Sequence, residues 1–378
     1  MSDNKCSAYS PLKIFHHQKE LEAMKTGGYT APIHVQLIIS DLCNQYCDFC
    51  AYRMPGYSSN VLFGEPDVTG HTNPNRQIEL GKCVEILEDC KKLGTKAVQF
   101  TGGGEPTVHT NHEMIFQECL DRDMDLALVT NGVRLGKESL RAILMQASWV
   151  RISLDAGIKE TYAKIRRVDP TVFDRVWQNV EGLVNARERY EIASGVSSDL
   201  LIGIGFVVTK DNWKEVIICT QRAKEAGVDN VRISALFQND GIRYFEGWLE
   251  DAAELCQAAA TLSTASATGS ATGGFKVFNN FSDRVDDLLQ KSPDYEFCGI
   301  QNVQTYIGAD LNLYRCCVLA YNPRGIIGSL KDQSFYDLWK SKSFEGFDAR
   351  KCPRCMYNNK NKTILYAIHN NALHRNFV

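Results

Sequence analysis

Up to about residue 262 the chain repeats one pattern: a short apolar run, a few loop residues, then a longer stretch with apolar residues at helical spacing. Such alternation specifies a parallel sheet wrapped by helices, because each parallel crossover uses a helix to bring the chain back. The spacing predicts strands over 33–39, 96–101, 125–130, 149–154, 201–208 and 230–235. It predicts helices over 78–93, 113–122, 137–146, 172–190 and 213–226, the last closed by Gly227 as a C-cap. Six such units are too few for the closed eight-stranded barrel. The expected fold is therefore α/β, an open partial (β/α)6 barrel of parallel strands followed by a small C-terminal α+β domain. In sheets of this kind the residues just past the C-terminal ends of the strands carry the chemistry.

A segment over 258–274, rich in Ala, Ser, Thr and Gly, starts as a helix end and finishes as a linker. The expected organisation is an N-terminal extension over 1–32, the barrel over 33–262, a linker over 263–274 and an auxiliary domain with its tail over 275–378. The long connection over 51–76, which carries Pro55, Gly56, Gly64, Pro66, Gly70 and Pro74, reads as a functional lid or a mobile loop. A net charge of -3 with no strong block of one sign argues against a nucleic-acid binder, although a local basic groove stays open. The longest apolar runs fall short of a membrane span and the N-terminus lacks the layout of a signal peptide, so a cytoplasmic protein is expected.

Fourteen cysteines in such a chain argue for metal binding rather than disulfides. Cys83 and Cys90 share a helix face with Ile86, Leu87 and Leu93 and read as core. Cys43, Cys47 and Cys50 do not, because they stand in a C-x3-C-x2-C run directly after the first strand. A structural zinc site closes itself with four ligands, whereas three thiolates leave a position open, as in a 4Fe-4S cluster with one iron free. A zinc knuckle is the bland alternative. After the second strand comes Thr101-Gly-Gly-Gly-Glu-Pro106, where glycine permits positive φ and close approach of backbone to a ligand, and Glu105 offers an acceptor. It lacks the Lys-Ser/Thr of a phosphate loop. Thr130-Asn131-Gly132 follows the third strand. Ser153 and Asp155 follow the fourth, two apart and so expected on one face, where they suit a ribose or cap the next helix.

With Phe49 as the aromatic, the cysteine run resembles the C-x3-C-x-aromatic-C signature of the radical S-adenosylmethionine (SAM) enzymes. The resemblance implies that the open iron binds the amino and carboxylate groups of the methionine moiety of SAM. Gly103, Gly104 and Glu105 are similar to the family's Gly-Gly-Glu motif, whose carbonyls and carboxylate accept from the methionine ammonium. Ser153 and Asp155 resemble a cofactor-contacting element, Asn131 is placed with them, and Arg166 or Arg167 corresponds to the arginine that pairs the methionine carboxylate. The strand Ile202-Gly-Ile-Gly-Phe-Val-Val-Thr209 resembles the family's adenine-packing strand only in part.

Toward the C-terminus, Cys298 and Cys316 are separated by seventeen residues and Cys352-Pro-Arg-Cys355 supplies a pair, enough to close a second cluster or a zinc ribbon. Between them, 303–316 reads as a β-hairpin and 327–340 as a loop and short helix. The segment resembles the twitch domain, a shortened form of the SPASM domain, and implies an auxiliary 4Fe-4S cluster held by Cys298, Cys316, Cys352 and Cys355. Cys317 is then surplus, either an alternative ligand or a buried thiol. The resemblance as a whole implies reductive cleavage of SAM to a 5'-deoxyadenosyl radical, which abstracts hydrogen from a small molecule such as a sugar, nucleoside or amino-acid derivative, leading to oxidation or rearrangement. An electron donor such as flavodoxin or ferredoxin is the implied partner. A peptide substrate is a further reading, although 1–32 is too short for a leader-binding module. A base in nucleic acid is another, supported only by 51–76 and by His374, Arg375 and Phe377 in the tail. A non-catalytic iron-sulfur or zinc protein is the bland one.

Overall fold

The structure, a computed structural model, describes residues 9–54, 75–264, 274–290, 292–341 and 347–369. Most of the connection over 51–76 and of the linker over 263–274, and the tail beyond 369, lie outside the described residues.

In chain order the elements are α1 (Gln18–Thr26), β1 (His34–Leu37), α2 (Leu80–Leu93), β2 (Ala97–Phe100), α3 (His112–Leu120), β3 (Asp125–Thr130), α4 (Glu138–Leu144) and β4 (Trp149–Ser153). Then come α5 (Lys159–Arg166), α6 (Thr171–Ser194), β5 (Leu201–Val208), α7 (Val216–Glu225), β6 (Asn230–Ala235) and α8 (Leu249–Ala260). The remainder is β7 (Lys276–Asn280), α9 (Phe281–Leu289), α10 (Ile300–Val303), β8 (Gln304–Ile307), β9 (Asn312–Tyr314), β10 (Ile326–Ser329), α11 (Phe335–Ser341) and α12 (Asn358–Ile368). All six expected strands are present as β1 to β6.

The ten strands of the described residues form one open sheet in the order β10-β9-β8-β1-β2-β3-β4-β5-β6-β7. From β8 to β7 every neighbour is parallel, and β9 and β10 extend the β8 edge antiparallel. The sheet therefore does not stop at the expected linker. β7 adds to β6 beyond it, and β8, from the expected auxiliary domain, pairs directly with β1, with His34 opposite Gln304 and Leu37 opposite Ile307. Two short strands gain backbone partners this way that neither would have alone.

Alternation along the strands divides the sheet's faces. Val35, Leu37, Val98, Phe100, Val150, Ile152, Ile202, Ile204, Val231 and Ile233 are fully buried against the helices in the main core. The opposite, inner face carries Gln36, Gln99, Arg151, Ser153 and Arg232. The N-terminal segment covers its base: Tyr9 meets Phe278 edge to face with ring centroids 5.0 Å apart. There α1 packs with α12 through a second small core of Leu21, Met24, Ile300, Val303 and Ile364. Cys83 and Cys90 are buried in the main core, as their spacing predicts.

Candidate active site

The chemistry-bearing residues gather at the C-terminal ends of β1 to β4. The chain leaves β1 and lays residues 40–42 against the glycine run, where the Gly104 and Glu105 amides donate to the Ser40 and Leu42 carbonyls, both at 2.9 Å. A Cβ on Gly103 would collide with the Asp41 carboxylate, and one on Gly104 with the Leu42 carbonyl. Gly102, Gly103 and Gly104 do not adopt positive φ. The requirement for glycine is thus close backbone contact with the cysteine loop rather than a left-handed turn. Asp41, fully buried, receives Arg76 Nε at 2.9 Å and Nη2 at 2.5 Å, together with the Tyr321 hydroxyl.

Further on, the cysteine loop rests on the end of α5. The Tyr46 and Asp48 amides donate to the Arg166 and Ile165 carbonyls at 3.0 and 2.9 Å, satisfying groups that a helix end leaves without partners. Arg166 turns its guanidinium back beneath the loop. Its Nη1 donates to Cys47 Sγ at 3.0 Å, and its Nη2 donates to the Ser153 carbonyl at 2.8 Å and ion-pairs with Asp155. Its carbon centre lies 5.7 Å from the Phe49 ring centroid, and Nε is buried without a partner. Burial pushes the Asp155 carboxyl up and the Arg166 charge pulls it back. On the other side of the loop, Asn131 Nδ2 stands 2.7 Å from Asn44 Oδ1 and 4.0 Å from Cys43 Sγ.

Glu105 is almost completely buried and its carboxylate is committed. Oε1 accepts from the Thr107 amide at 3.1 Å and from the Thr107 and Thr130 hydroxyls at 2.6 Å, and Oε2 accepts from the Asn131 amide at 2.7 Å. It therefore ties the ends of β2 and β3 together, and it differs from the open acceptor that the sequence suggests. Ser153 and Asp155 also part company. Asp155 has φ 59, so strand alternation ends at Ser153, and its Oδ1 accepts from the Val207 amide at 2.6 Å. Arg167 instead faces Asp48 at 2.5 Å and is half exposed.

Burial, with Glu105 nearby, pushes the Cys43 thiol up to about 12, and burial together with Cys47 pushes Cys50 up to about 11. A coordinated metal reverses this, because a ligating thiol is deprotonated outright.

In the C-terminal part, Cys298, Cys316, Cys352 and Cys355 line a single cavity with Tyr295, Arg315 and Phe347. Tyr295 donates to Cys355 Sγ at 3.7 Å, and Arg315 leaves its Nε buried without a partner. Burial and then Cys298 push Cys352 up to about 12, and burial pushes Cys298 up to about 11. Cys317 is not on that cavity. Backbone is extended at Cys316, so the neighbouring side chain points away, and Cys317 Sγ meets the Tyr357 hydroxyl at 3.0 Å and Met356 Sδ at 3.3 Å. Among the described residues no three His, Cys, Asp or Glu side chains converge as the ligands of one ion do. Two thiol sets, one in the strand-end loop beside Arg166 and one around the cavity beside Arg315, each with an orphaned arginine Nε, fit anionic iron-sulfur clusters. Sequence reasoning did not single out Asp41, Arg76 or Tyr321. Asp41 at least stands at a strand end just before the motif, whereas Tyr321 carries no local signal.

The chain resembles several known proteins. It is 24% identical over 229 residues, 57% of its length, to a probable GTP 3',8-cyclase of Saccharolobus islandicus, and it spans 64% of that protein. It is 29% identical over 155 residues, 40% of its length and 42% of the other's, to a tungsten-containing aldehyde ferredoxin oxidoreductase cofactor-modifying protein of Pyrococcus furiosus. In fold it is similar to Streptococcus suis SuiB bound to S-adenosylmethionine, with a TM-score of 0.57 and 17% identity over 89% of this chain and 72% of that one. It is also similar to anSMEcpe with bound AdoMet, with a TM-score of 0.56 and 14% identity over 89% of this chain and 92% of that one. Among the described residues no helix is long and apolar enough to cross a membrane. The sequence model of the radical SAM superfamily matches residues 37–252, and that of SPASM, an iron-sulfur cluster-binding domain, matches 298–356. The first domain binds a 4Fe-4S cluster and SAM, and the second binds an auxiliary iron-sulfur cluster. The chain belongs to the radical SAM superfamily and carries a C-terminal iron-sulfur cluster-binding domain of the SPASM/twitch kind.

Proposed function

We propose that the protein abstracts hydrogen from a small molecule held on the inner face of the sheet, with Cys43, Cys47 and Cys50 holding the SAM-binding cluster and Cys298, Cys316, Cys352 and Cys355 the auxiliary one. The observation that carries this reading is the enclosure of the inner face, with the cysteine loop at the strand ends and Tyr9, α1 and α12 across the base. When bound, the first cluster and SAM supply one-electron reduction and the radical that takes a substrate hydrogen. Arg166 holds the Cys47 sulfur and orients Phe49. Gly103 and Gly104 let the loop sit low on the sheet, and Glu105 fixes Asn131 beside Cys43. Asn131, Ser153 and Arg166 then form the floor against which SAM is oriented, with water excluded by burial. Four cysteines around the second cavity are the full protein ligand set of a 4Fe-4S cluster, which supports an electron-accepting or scaffolding role for that cluster; as an acceptor of the substrate radical's electron it would make the reaction an oxidation. Flavodoxin or ferredoxin would supply the electron to the first cluster.

The test is anaerobic reconstitution followed by iron analysis and a SAM cleavage assay with a chemical reductant. About eight irons per chain are expected for two 4Fe-4S clusters, with cleavage abolished by the triple Ala variant of Cys43, Cys47 and Cys50. Cleavage surviving in that variant, or stoichiometric zinc in place of iron, overturns the assignment.

A further inference from the structure

Strand β5 presents Gly203 and Gly205 on the inner face, where side chains would otherwise stand. The register sets Gly203 beside Arg151 of β4 and Gly205 beside Arg232 of β6. The bare strand between them is occupied by the Arg151 stem, whose Cδ lies 3.5 Å and Cγ 3.7 Å from the position of a Cβ on Gly205. Two guanidinium groups thus share one patch of the inner face.

Among the described residues neither is within ion-pair distance of a carboxylate. The two fully buried arginines each hold an aspartate, Arg166 with Asp155 and Arg187 with Asp229 at 2.5 Å. Arg232 has none among the described residues, its Nε is buried without a hydrogen bond, and its guanidinium carbon lies 4.9 Å from the centroid of the Tyr9 ring. Arg151 lies over Trp149 at 5.4 Å and makes no ion pair among the described residues, its charge reaching only the buried Asp155 carboxyl, which is already bonded to Arg166. The neighbourhood adds positive charge. Arg232 is pushed down to about 10 by burial and then by Arg151, with Arg284 adding to it. Lys360 of α12 is pushed down by burial, then by Lys13 and Arg232. Crowded cations without counter-charges are costly when withdrawn from water. An oxyanion that accepts from both forks relieves that cost and is held bidentately.

We infer that the inner face holds the phosphate or carboxylate group of a small-molecule substrate between Arg151 and Arg232, with Lys360 on the wall. This rests on the reading of the face as the substrate site. Ser153, whose carbonyl holds Arg166 beneath the cysteine loop, stands on the same strand face two residues beyond Arg151, about 7 Å along the strand. A molecule anchored by its anion at the two arginines extends from there toward Cys43, Cys47 and Cys50, so the anion orients the carbon that reacts.

The experiment is calorimetric titration of the cluster-loaded full chain with pyrophosphate, with succinate and with uncharged ribose. Saturable binding is expected for one of the two anions and none for ribose, and which anion binds tells phosphate from carboxylate. Arg232→Gln and Arg151→Gln should each weaken that binding at least tenfold with the iron content and circular dichroism unchanged. Arg189→Gln, on an exposed position of α6, should leave binding unchanged. Should Arg232→Gln fail to fold, Arg151→Gln and Lys360→Met test the same patch from other elements. Equal binding by wild type and variants, or no saturation by either anion, overturns the inference. Failure of the radical reading would appear separately, as a wild-type chain that does not cleave SAM while the anion titration stands.

Discussion

The Tyr321 hydroxyl donates to the Asp41 carboxylate, so a residue of the auxiliary segment is bonded to one that stands two positions before the first cluster-motif cysteine, across 280 positions of sequence. Asp41 also holds Arg76, and Tyr321 packs against Tyr52, just past Cys50, with ring centroids 5.8 Å apart. Position within the cysteine loop is therefore set from both halves of the chain.

Tyr321→Phe keeps the ring and removes the donor, which leaves Asp41 buried with one partner fewer. A loss of about 1–3 kcal/mol in unfolding free energy is expected, accompanied by slower SAM cleavage at full iron content. Denaturant titration and the cleavage assay check the two together. Unchanged cleavage at reduced stability would confine the contact to scaffolding.

Gly104→Ala drives a methyl group into the Leu42 carbonyl and lifts the cysteine loop. Iron should fall from about eight to about four per chain, with the surviving magnetic resonance signal that of the auxiliary cluster. Retention of both signals would mean that the loop yields without losing its ligands.

Cys316 and Cys317 are adjacent yet face different surroundings. Cys316→Ser should cost the auxiliary cluster, and Cys317→Ser should leave the iron count unchanged. The reverse pattern of iron loss would show that the cavity's thiol set is misassigned.

Glu105→Gln turns one acceptor oxygen into a donor facing the Asn131 amide or the Thr107 and Thr130 hydroxyls. Stability should fall by about 1–3 kcal/mol for the unsatisfied pairings, and SAM affinity should fall with it because Asn131 shifts beside Cys43. A loss of affinity at full stability would instead mark Glu105 as a direct contact of SAM.

His34, at the base of the inner face, has its pKa pushed down to about 4 by burial and then by Lys360. A base whose native pKa lies below its unfolded value binds its proton more weakly when folded. Its contribution to stability is therefore intact above the ordinary 6.5 and is lost as pH falls from 6.5 toward 4. That loss is at most about 1.4 kcal/mol per pH unit. His34→Gln should flatten the fall in unfolding free energy between pH 6.5 and 5, and identical slopes would assign the acid sensitivity elsewhere.

The strands were legible where period and length agree. β3, β5 and β6 begin and end at their expected residues, where short runs rich in branched and apolar residues stand between helical stretches. β7 was not, since Lys276-Val-Phe-Asn-Asn280 has no apolar alternation and is a strand only by pairing with β6. The hairpin of β8 and β9 was legible, but its place beside β1 was not, because pairing between His34 and Gln304 leaves no local trace. Arg166, to which with Arg167 only the family resemblance points, falls beside the cysteine loop. Its partner Asp155 reaches it only because a left-handed residue turns the chain, and alternation cannot foresee that.

The hydrogen bonds between β1 and β8 make the two iron-sulfur halves inseparable during assembly. β1 aims the cysteine loop from its end and is zipped along one side by a strand that emerges from synthesis some 270 residues later. Until then its backbone is a bare edge able to pair with another chain. A nascent chain therefore holds an adhesive strand through most of its translation, and a product that stops after residue 262 would be a sticky fragment rather than a smaller catalyst.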